Sequence, residues 1–202
     1  DTVMDLSIAG DLLAIRKGML AACPLPLGTV PLYSVAQKYL DKGKDPAGMD
    51  PEELFAEIEM QAEQGVDFMT VHCGLTRRGA EWATEGGRVL GIVSRGGSIL
   101  ARWMRKNGKE NPLLEQYDRI LEIARRHNVT LSLGDGLRPG AGADAGDAAQ
   151  WEEVMMLGRL AKAGLAEGVQ CMIEGPGHVP MHEVEAQIVG IKKLTNNAPL
   201  YV

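Results

Sequence analysis

The chain has 202 residues, 45% hydrophobic and 24% charged, and its 27 Asp and Glu against 21 Lys and Arg leave a formal net charge of -6. That composition is too apolar for a disordered chain, too poor in cysteine for a disulfide scaffold, and lacks the basic face that nucleic acid needs. No apolar run reaches the ~18 to 20 residues of a membrane span, so a soluble protein acting on a small polar ligand is expected, with no nucleic-acid or membrane partner.

The first residues, Asp1-Thr2-Val3-Met4-Asp5, carry no secretory signal. Cys23, Cys73 and Cys171 are odd in number and far apart, which points to a reducing cytoplasm. Short apolar runs at 3–6, 25–32, 66–71, 89–93, 129–133, 169–173 and 199–202 read as buried strands. Helical patterns lie between them. Leu12, Leu13, Met19 and Leu20 form one, and 51–63, opened by Pro51, forms another. Residues 99–106, 113–127, 147–166 and 181–194 supply the rest.

Alternating strands and helices imply parallel pairing with right-handed crossovers, in an open doubly wound sheet or a closed barrel. No Gly-x-Gly-x-x-Gly follows the first strand, which removes the main dinucleotide signal of the open sheet. Nearly every strand instead runs into a polar or glycine-rich cluster: Ser7, Tyr33, His72, Ser94 to Gly97, Asp135 to Arg138, and Glu174 to His178. In a (β/α)8 TIM-type barrel those ends converge on one mouth, where the active sites of that fold lie. The expectation is therefore an α/β chain forming an incomplete barrel, about six βα units and the start of a seventh strand. Residues 1–202 are read as one partial catalytic barrel, because unpaired first and last strands are an aggregation hazard.

Three constellations carry chemistry. Glu174-Gly-Pro-Gly-His178 follows a strand, and its irregular turn would bring a carboxylate and an imidazole together as metal ligands or as an acid/base pair. The alternative is a tight loop with His178 capping a helix. His182 follows at the i,i+4 spacing of two metal-binding imidazoles and is read as an exposed helix residue. Asp135-Gly-Leu-Arg138 offers a guanidinium fork for phosphate and a carboxylate for hydroxyl or amine groups, unless the two merely pair with each other. Ser94-Arg95-Gly96-Gly97-Ser98 before a helix suits a phosphate on backbone amides, with Arg95 reinforcing it, or is a plain turn with Ser98 as the cap. His72 is a lone histidine at a strand end, raised above a core residue by its polar neighbours; Cys73, Cys171 and the inward methionines read as core.

Taken together, Met4-Asp-Leu-Ser7, Gly28-Thr-Val-Pro-Leu-Tyr33, Asp67 to His72, Gly91 to Ser98, Ser132 to Gly140 and Val169 to Pro180 resemble the phosphomethylpyrimidine synthase family of thiamin biosynthesis, in order and across the whole chain. The resemblance implies a (β/α)8 barrel that binds 5-aminoimidazole ribotide. It also implies a [4Fe–4S] cluster on a later Cys-x-x-Cys-x-x-x-x-Cys segment that cleaves S-adenosylmethionine to a 5′-deoxyadenosyl radical, and conversion of the ribotide to 4-amino-5-hydroxymethyl-2-methylpyrimidine phosphate. Met4, Tyr33, His72, Ser94, Gly96, Asp135, Arg138 and Glu174 match the ribotide-contacting positions, with Arg95 inside the same turn. Glu174, His72 and Asp135 are the candidates for proton chemistry, and His178 matches one of two histidines on a zinc ion. Family members are usually homodimers that exchange cluster domains.

This chain departs from the pattern at Ser7-Ile8-Ala9, where Ser-Thr-Gly is expected, and at Tyr33-Ser34, where Tyr-Gln is expected. Both lie beside the expected pocket in sequence, which keeps open a sibling, 5-hydroxybenzimidazole synthase of anaerobic cobamide synthesis, acting on the same ribotide. Two readings of other classes also stand: a non-catalytic ribonucleotide-binding barrel, and a metal-dependent aldolase or hydrolase built on Glu174, His178 and His182. The chain lacks the second metal histidine and the cluster cysteines of the pattern, so by itself it is expected to be inactive.

Overall fold

A computed structural model describes residues 1–202. Six parallel strands form one sheet in sequential order: β1 (Val3–Asp5), β2 (Leu27–Thr29), β3 (Phe68–Val71), β4 (Thr130–Leu133), β5 (Cys171–Glu174) and β6 (Leu200–Tyr201). The helices are α1 (Leu12–Ala22), α2 (Pro31–Asp41), α3 (Pro51–Glu63), α4 (Arg77–Glu85), α5 (Arg95–Asn107), α6 (Pro112–Glu115), α7 (Tyr117–His127), α8 (Ala148–Ala166) and α9 (Val184–Leu194). None is long and apolar enough to cross a membrane.

The sheet is curled. In a flat sheet, β1 and β6 would stand about 24 Å apart at ~4.8 Å per strand. Yet Met4 of β1 and Tyr201 of β6 line one cavity of about 290 Å³. Neighbours in sequence are neighbours in the sheet throughout, the order of a barrel wall rather than of a doubly wound sheet.

Side-chain alternation along the strands separates core from site. Met69, Val71, Leu131, Leu133, Cys171 and Ile173 face the helices, where they meet Leu54, Phe55 and Ile58 of α3, Leu100 and Met104 of α5, Ile120 of α7, and Leu157 of α8. The intervening residues, Thr70, His72, Ser132 and Glu174, face the concave side. Glycine makes room there: a Cβ on Gly28 would stand 2.1 Å from the Phe68 ring, and one on Gly134 3.0 Å from His72 Cδ2.

Several expectations are corrected. Residues 89–93 form no strand, and β3 pairs directly with β4, so the chain holds five βα units and the start of a sixth strand rather than six and a seventh. Gly87 before the run and Gly91 in its middle adopt positive φ, and the amides of Val89 and Leu90 donate to the Asp144 carboxylate instead of to a neighbouring strand. The apolar run at 25–32 merges β2 with the first turn of α2, which Pro31 opens, so Tyr33 sits on a helix rather than at a strand end. Helix α4 was not expected because its buried residues are Gly79, Ala80 and Ala83, too small to give an apolar period. Helix α5 starts at Arg95, four residues before the predicted helix, with Ser94 rather than Ser98 as its cap.

Candidate active site at the strand ends

The concave cavity collects side chains from all six strands or the turns that follow them. Met4, Tyr33, His72, Asp135, Arg138 and Glu174 line it, together with Thr70 and Gly175 to Gly177. A larger groove of about 670 Å³ between α4 and α5 lies on the outer helix layer, and none of the predicted site residues lines it.

Glu174 ends β5 and is held from two neighbouring strands. The hydroxyls of Thr70 on β3 and Ser132 on β4 both donate to its Oε1, at 2.8 and 3.1 Å. That fixes one carboxylate oxygen on the wall of the cavity. His72 is 2% exposed, boxed between Gly96 and Gly134, with Nδ1 buried and without a partner. Burial pushes its imidazole down to about 4, with Arg138 adding and Glu174 opposing, so the ring is neutral at pH 7. Asn111, fully buried, donates from Nδ2 to the His72 and Leu75 carbonyls at 2.9 Å each and fixes the backbone of this strand end.

Asp135 and Arg138 pair across their turn at 3.0 Å. Burial lifts the Asp135 carboxyl to about 7, with Glu174 adding and Arg138 opposing. Arg138 uses one nitrogen for this contact, and its side chain is 31% exposed, which leaves N–H donors for a ligand. The Tyr33 ring stands under the Arg95 guanidinium, 5.3 Å from its centroid. Burial raises the Tyr33 hydroxyl, so it stays a phenol.

The remaining predicted residues lie behind this set or away from it. Ser94 is wholly buried, and its Oγ accepts from the Gly97 amide at 3.2 Å, so the hydroxyl caps α5 rather than reaching the cavity. Gly96 backs His72, and Arg95 covers Tyr33; neither lines the cavity. Of the two ends of the Glu174–His178 turn only Glu174 lines the cavity: His178 Nδ1 donates to the Pro139 carbonyl at 3.0 Å. His182 lies in a single 3-10 turn after Pro180, with its side chain 80% exposed. No three His, Cys, Asp or Glu side chains stand close enough to hold a metal ion, which counts against an aldolase or hydrolase metal centre built on Glu174, His178 and His182.

The whole chain, residues 1–202, matches the family model described as the radical SAM ThiC family. The chain belongs to that family. It is 52% identical over all 202 residues to the phosphomethylpyrimidine synthases of Carboxydothermus hydrogenoformans and Syntrophus aciditrophicus, and 49% identical to that of Methanopyrus kandleri. It spans about half the length of these curated relatives, 47% of each.

A radical SAM family uses S-adenosylmethionine and an iron–sulfur cluster. The cysteines present do not fit the cluster: Cys73 and Cys171 are buried core thiols that burial pushes upward, away from the thiolate form, and no ligand set surrounds any of the three. The departures at Ile8 and Ser34 do not reach the cavity either. Ser34 accepts from Gln61 Nε2 in the helix layer, and Ile8 lies past the end of β1, 39% exposed. Sequence reasoning passed over Thr70, Ser132, Asn111, Arg88, Asp144, Asp147 and Glu153. Asp147, as an Asp before a helix, and Asn111, as an Asn before Pro112 at a helix start, carried a capping signal; the others are polar residues inside elements or loops that mark nothing until the sheet curls.

Proposed function

We propose that the concave cavity binds 5-aminoimidazole ribotide and that this chain is the ribotide-binding part of an enzyme converting it to 4-amino-5-hydroxymethyl-2-methylpyrimidine phosphate. One observation carries the reading. Six of the residues that match ribotide-contacting positions, from five different strands or their following turns, converge on a single cavity of about 290 Å³ in a chain of this family. That volume is at the small end for ligand pockets, suited to a mononucleotide held at an open mouth.

The side chains divide the work. Arg138 presents its free N–H groups to the anionic end of the ribotide, with Asp135 holding the guanidinium from the other side. His72, neutral, offers a single ring nitrogen to the ligand, since Nδ1 is sealed. Asp135, which titrates near neutrality, takes or gives a proton beside the ring, and Glu174 keeps one oxygen for the ligand while Thr70 and Ser132 hold the other. Burial of these groups keeps water from competing for the same contacts.

His178 is assigned as one zinc ligand. Its Nδ1 is oriented by the Pro139 carbonyl, the outer-shell arrangement that leaves Nε2 for a metal. When bound, S-adenosylmethionine and the cluster supply one-electron hydrogen abstraction, which no side chain here provides, and no residue of this chain is assigned to the cluster. The barrel reading extends to an eight-stranded closure joining the free edges of β1 and β6, in a cytoplasmic homodimer.

The test is an anaerobic reaction of the full-length parent protein, with its cluster segment, together with reductant, S-adenosylmethionine and the ribotide, read by mass. The pyrimidine phosphate with 5′-deoxyadenosine is the expected outcome. Hydroxybenzimidazole in its place would transfer the assignment to the sibling reaction; ribotide binding with no 5′-deoxyadenosine would reduce the protein to a binding module.

A further inference from the structure

Arg88 lies outside every predicted motif, and its side chain is only 2% exposed. All five of its N–H donors are used. Nε and Nη2 fork onto the two oxygens of Asp147 at 2.6 and 2.8 Å, Nη2 also donates to the Leu137 carbonyl at 2.8 Å, and Nη1 reaches the carbonyls of Gly91 and Arg138 at 3.1 and 3.5 Å. Two of these acceptors are the backbone of the Asp135–Arg138 turn, and a third lies on the stretch leading to Ser94. From the opposite side, Glu153 of α8, also 2% exposed, accepts the Leu137 amide on Oε2 at 2.6 Å.

We propose that Arg88 and Glu153 are positioning residues for the cavity: by gripping the two ends of Leu137 they fix Arg138 and Asp135 in register with the α5 wall behind His72. The inference rests on the ribotide reading of the cavity. Leu137 is held at its amide, its carbonyl and its side chain, which is fully buried. The turn is closed on its other face by Gly97, where a Cβ would stand 2.1 Å from the Gly136 carbonyl oxygen. Arg138 is therefore mobile only beyond its own Cα. Stability alone is a poor reason for this arrangement: burial pushes the Glu153 carboxyl well up toward its neutral form, and its buried Oε1 has no hydrogen-bond partner, which an apolar side chain of equal volume would not incur. What the two side chains do supply is direction, and directed donors are what a phosphate-gripping arginine needs.

The experiment is a double-mutant cycle on ribotide affinity in the purified protein, with folding checked by circular dichroism and Tm. Arg88→Lys keeps the charge but loses the fork, and is expected to bind the ribotide at least tenfold more weakly. In an Arg138→Ala background the same change should alter affinity less than twofold, because the residue it positions is gone. Glu153→Leu should behave like Arg88→Lys, and Glu153→Gln, which keeps an acceptor oxygen for Leu137, should restore binding to within threefold of the parent. Equal losses from Arg88→Lys in both backgrounds, or a normal affinity in the folded single variant, overturn the proposal. Should Arg88→Lys fail to fold, the Glu153→Leu and Glu153→Gln pair in the same two backgrounds decides it by the same criteria. Arg138→Ala binding as well as the parent would instead sink the ribotide reading itself, whatever Arg88 does.

Discussion

Gly96 lies so close over the His72 imidazole that a Cβ there would stand 2.2 Å from Cε1 and 2.4 Å from Nδ1. The contact joins the start of α5 to the end of β3 with no space between them. On helix propensity alone, Gly96→Ala should gain about 1 kcal/mol. Overpacking wins, because the ring is also closed in by Gly134, and forcing a methyl into such a site costs about 1 to 3 kcal/mol. Thermal unfolding should show a Tm lower by a few degrees with ribotide binding lost. A Tm equal to or above the parent's would mean the ring can move aside.

His72 makes the fold sensitive to acid. Its folded value of about 4 lies below the ordinary 6.5, so between those pH values the unfolded chain binds a proton that the native one refuses. The stabilising contribution is complete above pH 6.5 and is lost as pH falls toward 4, amounting to about 2 kcal/mol at pH 5. Urea unfolding at pH 7.5 and pH 5 should show that loss in the parent and not in His72→Gln. The His72 ring resonances should also stay fixed between pH 8 and 5, and a midpoint near 6.5 would contradict the burial argument.

Asp135 acts in the opposite direction. Its carboxyl is raised to about 7, so the native state holds a proton that the unfolded chain has already released, and stability is full below about pH 4 and declines as pH rises through 7. Asp135→Asn carries no such penalty. The difference in Tm between variant and parent should therefore be more favourable to the variant at pH 8 than at pH 5. A difference that shrinks as pH rises would mean that Arg138 outweighs burial and holds the carboxylate charged.

Zinc should follow His178 rather than His182. Equilibrium dialysis followed by metal analysis is expected to show a lower zinc content for His178→Ala and an unchanged one for His182→Ala, whose side chain is 80% exposed and beside only Glu183. The reverse pattern would revive a centre on the exposed turn.

The strands were legible because buried parallel strands are short apolar runs, and the runs containing β3, β4 and β5 stand where the periodicity placed them, with β5 ending one residue later, on Glu174. The run at 89–93 has the same composition and is not a strand, since what decides it is the Arg88 fork and the Asp144 carboxylate, contacts with residues some fifty positions later that no local pattern records. The mouth was legible in His72, Asp135, Arg138 and Glu174, because polar residues right after apolar runs have few other places to go. Ser94 carries a second role that the run of glycines hides: its Oγ accepts from the Gly97 amide and caps α5, which occupies a lone pair and leaves its own O–H to donate. Thr70 and Ser132 were invisible because Thr and Ser inside a strand look like ordinary sheet residues until a third strand places a carboxylate beside both.

That carboxylate supplies the most direct test of how the wall of the cavity is built. Thr70 and Ser132 donate to the same oxygen of Glu174, so losing one hydroxyl leaves the other in place, and losing both frees the side chain to turn into the cavity. A hydrogen bond to a charged group contributes about 1.5 to 3 kcal/mol. Thr70→Val preserves volume and Ser132→Ala removes little, so neither should disturb the core. Each single variant should weaken ribotide binding several-fold, and the double variant by more than the product of the two. In a Glu174→Ala background both changes should be nearly silent, because the group they orient is absent. Calorimetric titration of the ribotide against the parent, the two single variants and the double variant, each with and without Glu174→Ala, reads the whole scheme; strictly multiplicative effects, the same with or without Glu174, would show that the hydroxyls contact the ligand themselves rather than through the carboxylate.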